Sequence, residues 1–227
     1  MKNLKTILAI IALATTILSC SKDDPAPAVV VPPVVVVVPQ SVASTHSNES
    51  ILTVPDATVN ITSPGSATSI ITVNKSGIIA DPSKVSIEIN LEGTWCGEVV
   101  VELISPSGSS VGLLKRMGFV GLSGADPAGD SSNFDGNNTL TFNSLSTTQL
   151  PFEALDASSA FVFGNYAPTG FNSATLEPIN VLMTPLNTFF QNKNIEGNWK
   201  LKIYDMVQTD INKLISWRIK FDTGALK

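Results

Sequence analysis

A period-two alternation of apolar and polar residues constrains this fold more than any other feature of the chain. The apolar positions of its three segments are Val85, Ile87, Ile89 and Leu91, then Trp199, Leu201 and Ile203, then Trp217, Ile219 and Phe221. Successive side chains of a β-strand point to opposite faces, so each segment predicts a strand with one buried face and one face in water. Only Leu186 to Gln191 suggests a helix, and that stretch is short.

Turn signals separate these segments. Glycine or asparagine, which tight turns require, occurs in Ser105–Gly108, Gly129-Asp130, Asp135–Asn138 and Glu196–Asn198. No internal repeat of roughly 20 to 50 residues is visible that would indicate a solenoid or a propeller. The stretch from residue 51 to 222 is long enough for one sizeable core. We therefore predict an all-β fold, an antiparallel sandwich of the jelly-roll type.

The N-terminus has the pattern of an export signal. Two lysines precede an apolar run of twelve residues, 7–18, which as a helix would rise about 18 Å. A bilayer core of about 30 Å needs roughly twenty apolar residues, so this run is too short to span a membrane. Cys20 ends the sequence "ILSC", which resembles the lipobox of bacterial lipoproteins. The resemblance implies removal of residues 1–19 and a diacylglycerol and palmitate anchor on Cys20. The alternative is an ordinary signal peptide in which the cysteine is coincidental.

The residues after Cys20 predict where the protein resides. The sequence "SKDD", residues 21–24, resembles the lipoprotein export signal of Bacteroidetes, a lysine followed by two acidic residues. The resemblance implies transfer to the outer leaflet of the outer membrane, with the protein lipid-anchored and exposed at the cell surface. If these residues are only the charged start of a linker, the anchored protein faces the periplasm.

Residues 25–40, "PAPAVVVPPVVVVVPQ", alternate prolines with valine runs and carry no charge. Proline donates no main-chain hydrogen bond and favours the extended polyproline II conformation, so we predict a semi-rigid stalk that continues through polar residues to Ser50. At about 3.1 Å per residue the stalk reaches roughly 90 Å. The predicted organisation is a signal peptide over 1–19, a lipidated N-terminus and disordered stalk over 20–50, and one domain over 51–227.

Charge and cysteine content exclude several functions. The chain has 14 basic and 19 acidic residues, and loss of two lysines with the signal leaves 12 against 19, a net charge of −7. An acidic protein without a basic run has no electrostatic surface for nucleic acid, so no nucleic acid partner is expected. With Cys20 acylated, Cys96 has no partner for a disulfide. We expect Cys96 to be a small buried residue and not a reactive thiol, because no histidine is near it in sequence.

The segment "VSIEINLEGTWCGEVVVELISPSGSSVGLLKR", residues 85–116, resembles the central signature of the P domain, also called the Homo B domain. Further matches follow in order, "NFDGNNTLTF", "GNYAPTG" and "GNWKLKIYDMVQTDINKLISW", and "LTVPD" upstream resembles the family's opening. The resemblance covers residues 51–222. It implies a jelly-roll β-sandwich of roughly eight or nine strands. In proprotein convertases this domain stabilises the neighbouring catalytic domain and is not itself catalytic.

The histidine content of the chain argues against hydrolytic catalysis. A Ser-His-Asp triad needs a packed histidine as its base, and the one histidine of the chain, His46, falls in the predicted stalk. Zinc hydrolysis on a histidine cluster is excluded for the same reason. A pair of carboxylates serves glycosidases, but no pair stands out in this sequence. We therefore predict a protein that is not an enzyme and has no catalytic residue.

Two groups of acidic residues are candidate calcium ligands. The loop 124–138 carries hard oxygen donors of the kind that calcium accepts, Asp126, Asp130 and Asp135 with Asn133, Asn137 and Asn138. Its spacing is not that of an EF-hand, and solvated turns are the alternative. The P-domain resemblance suggests a second group, Glu98, Asp205 and Asp210, at or beside positions where the family carries acids. Glu98 stands where the family has aspartate, and Asn212 where it has glycine.

Aromatic residues in loop-like contexts are candidate ligand contacts. Trp95 and Tyr166, with Phe119 and Phe171, lie in such contexts, and rings of this kind stack on sugars or take up peptides; packing in the core is the alternative. We therefore predict a non-catalytic, lipid-anchored P-domain protein that binds or stabilises a protein or glycan partner. A calcium-dependent adhesion or carbohydrate-binding module is the second hypothesis. A hydrolase, or a part of a proteolytic complex, is the remote one.

Overall fold

The structure, a computed structural model, describes residues 41–59, 62–119, 129–150, 164–170, 179 and 181–227. The chain divides into two units, residues 1–38 and 39–227, and all described residues belong to the second. The predicted signal peptide, Cys20 and the segment 25–40 lie outside the described residues.

The described residues form twelve strands in two sheets. The strands are β1 (Ser44–Asn48), β2 (Leu52–Thr53), β3 (Gly65–Val73), β4 (Val85–Gly93), β5 (Val99–Ile104), β6 (Ser110–Lys115), β7 (Phe134–Asp135), β8 (Leu140–Asn143), β9 (Gly164–Tyr166), β10 (Thr169–Gly170), β11 (Gly197–Asp205) and β12 (Lys213–Phe221). The larger sheet has the order β1-β12-β4-β8-β9, with β2 beside β12 and β7 beside β4. The smaller sheet has the order β10-β6-β5-β11-β3.

The predicted all-β sandwich is confirmed. The three alternating segments form β4, β11 and β12, and their apolar positions are buried in one core cluster shared by both sheets. Most strand pairs are antiparallel, as predicted, but β8 with β9 and β6 with β10 are parallel. Parallel strands need a long connection, and about twenty residues separate β8 from β9.

The centre of the core joins the two sheets through a polar contact. Trp217 on β12 is 1% exposed, and its indole Nε1 donates a hydrogen bond of 2.9 Å to Ser69 Oγ on β3. Trp199 on β11 is also fully buried, and its Nε1 donates to the carbonyl of Ile195 at 2.8 Å. Both indoles therefore bury a large apolar area and keep their one donor satisfied.

The outer face of the smaller sheet is covered in part by residues 179 and 181–183. Gly112 on β6 donates its N–H to the carbonyl of Leu182 at 2.8 Å, and a Cβ at residue 112 would lie 2.4 Å from the sulfur of Met183. Only glycine lets this segment approach the strand so closely. A second apolar cluster, Val100, Val181, Met206 and Val207, lies on this face. Strands β5 and β6 are consequently buried on both sides, which a period-two pattern does not predict.

The domain begins earlier than the sequence predicted. Residues 44–48, assigned to the stalk from their polar composition, form β1, which pairs antiparallel with β12 so that His46 lies opposite Ile219. The sequence "STHSN" has no apolar alternation because β1 is an edge strand held by main-chain hydrogen bonds. The boundary at residue 50 is therefore corrected to the start of the second unit.

The predicted helix is confirmed as α1, Leu186–Phe190. It buries the aromatic rings of Phe189 and Phe190, which contact each other edge to face with centroids 5.1 Å apart. Within the described ranges, no helix has the length and apolar character needed to cross a membrane.

Acidification is expected to destabilise the domain through His46. The ring packs edge-on against Phe221, with centroids 6.1 Å apart, and its Nε2 is buried without a hydrogen-bond partner in the described part of the chain. Burial, and after it the Lys75 ammonium, lower the pKa of His46 below its usual value. The unfolded chain therefore takes up the proton first. This contribution to stability is complete above about pH 6.5 and is lost as pH falls through the folded pKa.

The check compares free energies of unfolding of the natural protein and of His46→Gln. As pH falls from about 7.5 to about 5, the natural protein should lose more stability than His46→Gln, because only the natural protein has the titrating ring at residue 46. A difference that does not change with pH would contradict the assignment.

Candidate functional site

Acidic side chains from three segments of the chain meet where β4 and β11 end and β5 and β12 begin. We call Asp56, Glu98, Asp205 and Asp210 the acidic cluster. Glu98 is 2% exposed and Asp205 is fully buried. Asp210 is half-buried and Asp56 is exposed, so the cluster extends from solvent to the interior.

Main-chain hydrogen bonds position the two buried carboxyl groups. Glu98 ends the 3-10 turn Cys96–Glu98, its N–H donates to the carbonyl of Trp95 at 2.9 Å, and its own carbonyl accepts from Met206 N at 3.0 Å. Asp205 is the last residue of β11, and the bond from Met206 N joins Glu98 to the residue that follows it. The register of β5 against β11 therefore brings the two acids together.

Asn212 completes the buried part of the site. It is 2% exposed, and its Nδ2 donates to Asp205 Oδ2 at 2.8 Å. Its side-chain oxygen Oδ1 has no hydrogen-bond partner among the described residues, and neither has Glu98 Oε2. A Cβ at residue 93 would lie 2.1 Å from Asn212 Oδ1, so Gly93 leaves the space that this oxygen occupies.

Burial and mutual repulsion raise the pKa of both buried acids. The pKa of Glu98 rises to about 8, first through burial and then through Asp210 and Asp205, while the Arg116 guanidinium opposes the rise. The pKa of Asp205 rises to about 6, mainly through burial, against hydrogen bonds from Asn212 and the Val207 N–H. Asp56 adds to the repulsion in both cases. At neutral pH the folded protein therefore holds Glu98 largely protonated, and Asp205 becomes protonated at a higher pH than a solvated aspartate does.

The outer members of the cluster are fixed by short loops. Asp210 Oδ1 accepts a hydrogen bond from the hydroxyl of Thr94, and Asp56 Oδ2 accepts one from Thr209 N at 3.0 Å. The chain near Asp56 lies here because Val54 N donates to the carbonyl of Asn212 at 2.9 Å. The loops before β3 and before β12 are thus joined around the site.

Arg116 supports the turn that carries Glu98. It is fully buried, its Nε donates to the carbonyl of Gly97 at 2.7 Å, and its guanidinium lies 4.2 Å from the centroid of the Phe119 ring. Phe119, considered as a ligand contact from the sequence, is itself buried by this stacking. Sequence reasoning missed Arg116, although it is the last residue of the segment 85–116 that resembles the family signature.

Glu98, Asp205 and Asp210 lie close enough to act on one another electrostatically, and their role as metal ligands stays a prediction. In the described part of the chain, no group of three or more His, Cys, Asp or Glu side chains is arranged to hold a metal ion. The buried side-chain oxygens described at this end of the domain belong to the carboxyl groups of Glu98 and Asp205 and to the amide of Asn212.

The predicted loop donors serve local turns. Asp130 Oδ1 accepts hydrogen bonds from the N–H and hydroxyl of Ser132. Asp135 Oδ1 accepts from the N–H groups of Asn137 and Asn138 at 2.9 and 2.8 Å. Asp126 lies outside the described residues. The two interpretations of this loop were a calcium site and a solvated turn. Asp135 is exposed and accepts hydrogen bonds within its own turn, which favours the solvated turn.

The predicted ligand contacts lie in different environments. Trp95 is half-buried with a φ of 52° at the start of the turn Cys96–Glu98, three residues from Glu98. Tyr166 on β9 is only 6% exposed and belongs to the core cluster, so its ring is not presented to a ligand. Phe171 lies outside the described residues. Cys96 is buried as expected, and burial raises the pKa of its thiol.

A polar groove of about 600 Å³ crosses the outer face of the larger sheet. We define the polar groove by Ser86, Glu88, Thr141, Asn143, Asn165 and Lys220. Lys220 Nζ donates to Glu88 Oε1 at 2.9 Å, and Asn143 Nδ2 donates to Asn165 Oδ1 at 3.3 Å. The described side chains that line it are mostly hydroxyl, amide and charged groups, and no aromatic ring is among them. Sequence reasoning did not predict this surface.

Residues 82–149 match the family model of the proprotein convertase P-domain. Over these residues the chain is similar to the P domain. The match begins at the 3-10 turn Pro82–Lys84, includes Glu98 and ends in the loop after β8. Asp205 and Asn212 lie beyond the matched segment of the P domain. The family resemblance predicted from the sequence is thereby confirmed over residues 82–149.

Two solved structures from Aeromonas sobria are similar to this chain. The first is a serine protease, with 15% sequence identity and a TM-score of 0.32; the similarity covers 78% of this chain and 27% of that chain. The second is the same type of serine protease in complex with the chaperone ORF2, with 16% identity, a TM-score of 0.34 and coverage of 82% and 28%. This chain thus spans little more than a quarter of either. A search of curated proteins gave no match.

Proposed function

We propose that this protein is a non-catalytic recognition module, displayed from the outer membrane by a lipid on Cys20, that binds a protein partner through the polar groove. The P-domain match supports the absence of catalysis, since this domain accompanies catalytic domains without taking part in their chemistry. The single histidine also supports it, because His46 lies on the edge strand β1.

The polar groove is the observation that carries the proposal. Its Glu88 and Lys220 form an ion pair that is partly exposed, and Arg218 Nη1 lies 3.7 Å from Glu88 Oε2. Hydroxyl and amide groups beside these charges offer both donors and acceptors, which suits a polar protein surface or an extended main chain. A glycan is the second candidate. The described residues that line the groove include no aromatic ring, and stacking on aromatic rings is a common mode of sugar binding, so a protein partner is favoured.

The test of recognition uses a photo-crosslinking residue at Thr141, in the polar groove, on the protein displayed by cells. A defined crosslinked protein should appear from position 141. The matched control is the same residue at Thr68, which is exposed on β3 of the other sheet. Thr141→Tyr should abolish binding of that protein, whereas Thr68→Tyr should not change it. Binding on a glycan array that Thr141→Tyr removes would support the glycan instead.

The anchor is tested separately. Metabolic labelling with an alkyne-bearing fatty acid should mark the natural protein and not Cys20→Ser, because the sulfur of Cys20 is the acylated atom. Accessibility of the domain to protease added to whole cells then distinguishes the cell surface from the periplasm. A labelled Cys20→Ser protein would overturn the assignment of the anchor.

A further inference from the structure

We propose that the partner bound in the polar groove is an extended, uncharged peptide segment whose one large apolar side chain enters a pocket at the end of the groove. This inference rests on the proposed function and names the chemistry of the partner. The pocket has a volume of about 200 Å³. We define the apolar pocket by Ala167, Pro168, Met183, Thr184, Pro185 and Leu186.

The apolar pocket adjoins the polar groove. Asn143 and Ser146 line both of them. The turn at the junction is fixed, because Asn143 Oδ1 accepts hydrogen bonds from Leu145 N at 3.0 Å and from Ser146 N at 2.9 Å. Leu145 lies in this turn, lines the groove and is 72% exposed. A ligand that passes from the groove into the pocket would therefore cover an apolar side chain that water surrounds.

The groove has the length and spacing of an extended chain. On β8 and the residue before it, the groove residues Thr139, Thr141 and Asn143 alternate with the buried Leu140 and Phe142. A strand rises about 3.3 Å per residue, so this row is roughly 13 Å long and its outward side chains are about 6.6 Å apart. An extended peptide repeats its side chains at the same interval. About five or six of its residues would follow the row and reach the pocket.

Charges in the groove favour an uncharged ligand. The charged residues described in its lining are two basic, Lys84 and Lys220, and two acidic, Glu88 and Asp222. Lys220 Nζ lies 2.9 Å from Glu88 Oε1, so part of this charge is already compensated within the protein. A highly charged ligand would meet repulsion as well as attraction. A peptide main chain instead meets hydroxyl and amide groups that both donate and accept hydrogen bonds.

The apolar pocket favours a peptide side chain over a sugar. Pro168, Met183 and Leu186 supply apolar surface, and the described residues that line the pocket include no charged group. An apolar cavity of about 150 Å³ accommodates a benzene-sized group, so this pocket is large enough for the side chain of leucine, methionine or phenylalanine. Such a side chain gains by leaving water, whereas a sugar ring would lose the hydrogen bonds of its hydroxyl groups.

The experiment selects peptides from a displayed library of random seven-residue segments on the full chain, purified in detergent. We expect the selected peptides to be neutral and to share one leucine, methionine or phenylalanine near one end. A fluorescein-labelled copy of a selected peptide then gives Kd by fluorescence anisotropy. Replacing its apolar residue with serine should weaken binding roughly 10-fold to 100-fold, because that side chain no longer leaves water on binding.

Thr184→Phe makes the test specific, because the added ring should fill the apolar pocket. The peptide with its apolar residue and the peptide with serine should bind this variant equally weakly. Thr68→Phe is the same exchange at an exposed position on β3 and should keep the difference between the two peptides. Equal Tm values for the two variants and the natural protein show that each of them is folded.

The outcomes separate this inference from the proposed function. Selected peptides without an apolar residue, or a difference that persists in Thr184→Phe, would overturn the inference. The proposed function would still stand if Thr141→Tyr removes the binding of those peptides. If no peptide is selected although position 141 crosslinks to a protein, the groove takes a folded surface and the inference is wrong. The proposed function fails if position 141 gives no crosslinked protein.

Discussion

Replacing Trp217 with alanine should lower the free energy of unfolding by about 3–5 kcal/mol. The indole is 1% exposed at the centre of the sandwich, and its removal leaves a cavity that the two sheets cannot fill without moving together. Tm should fall by roughly 6–20 °C for a domain of this size. Urea unfolding followed by fluorescence or circular dichroism measures the change.

Ser69→Ala separates packing from hydrogen bonding in this result. It keeps the indole and removes only the acceptor of the 2.9 Å bond from Trp217 Nε1, so it should cost about 1–3 kcal/mol. A loss below about 1 kcal/mol for Trp217→Ala would mean that the two sheets do not share one core.

Gly65→Ala is expected to destabilise the domain by about 3 kcal/mol or more. A Cβ at this first residue of β3 would lie 1.7 Å from the carbonyl oxygen of Pro55 and 2.7 Å from that of Asp56. Both contacts are with backbone, so no side-chain rotation relieves them. The substitution must push the loop that carries Asp56 away from Asp205, to which Gly65 is paired in the sheet.

Ser66→Ala is the matched control for Gly65→Ala, because Ser66 is exposed on the same strand. It should change stability by no more than about 0.5 kcal/mol. Thermal unfolding of the two variants side by side gives the comparison, and similar Tm values would show that the loop before β3 yields easily to an added methyl group.

The strands with one wet face were predictable because burial itself produced their pattern. Val85, Ile87, Ile89 and Leu91 point inward and the residues between them are less buried, as the alternation indicated. Strand β6 could not be recognised in this way, since chain near residue 182 covers its second face. Strand β1 was missed for the opposite reason: its polar side chains carry no burial signal, and its pairing with β12 is made by the backbone.

The candidate site was predictable only in part. The family pattern suggested Glu98, Asp205 and Asp210, and the register of β5 and β11 brings the first two together. The unsatisfied oxygen of Asn212 depends on the packing of Gly93 against it, which is a contact between residues far apart in sequence. The sequence does not show which way the side-chain amide of Asn212 points. Its unpaired oxygen could therefore be recognised only in the structure.

The position of β1 determines how the domain responds to mechanical load. Any pull from the chain before residue 41 first reaches Ser41, whose carbonyl accepts from Gly224 N at 2.9 Å and whose hydroxyl accepts from Leu226 N at 3.1 Å. It then reaches the Ser44 end of β1, opposite Phe221. A force directed away from the sheet would break these bonds one after another and peel β1 off, whereas a force along the strand would load them together. The domain should therefore yield at low force in the first direction and resist in the second.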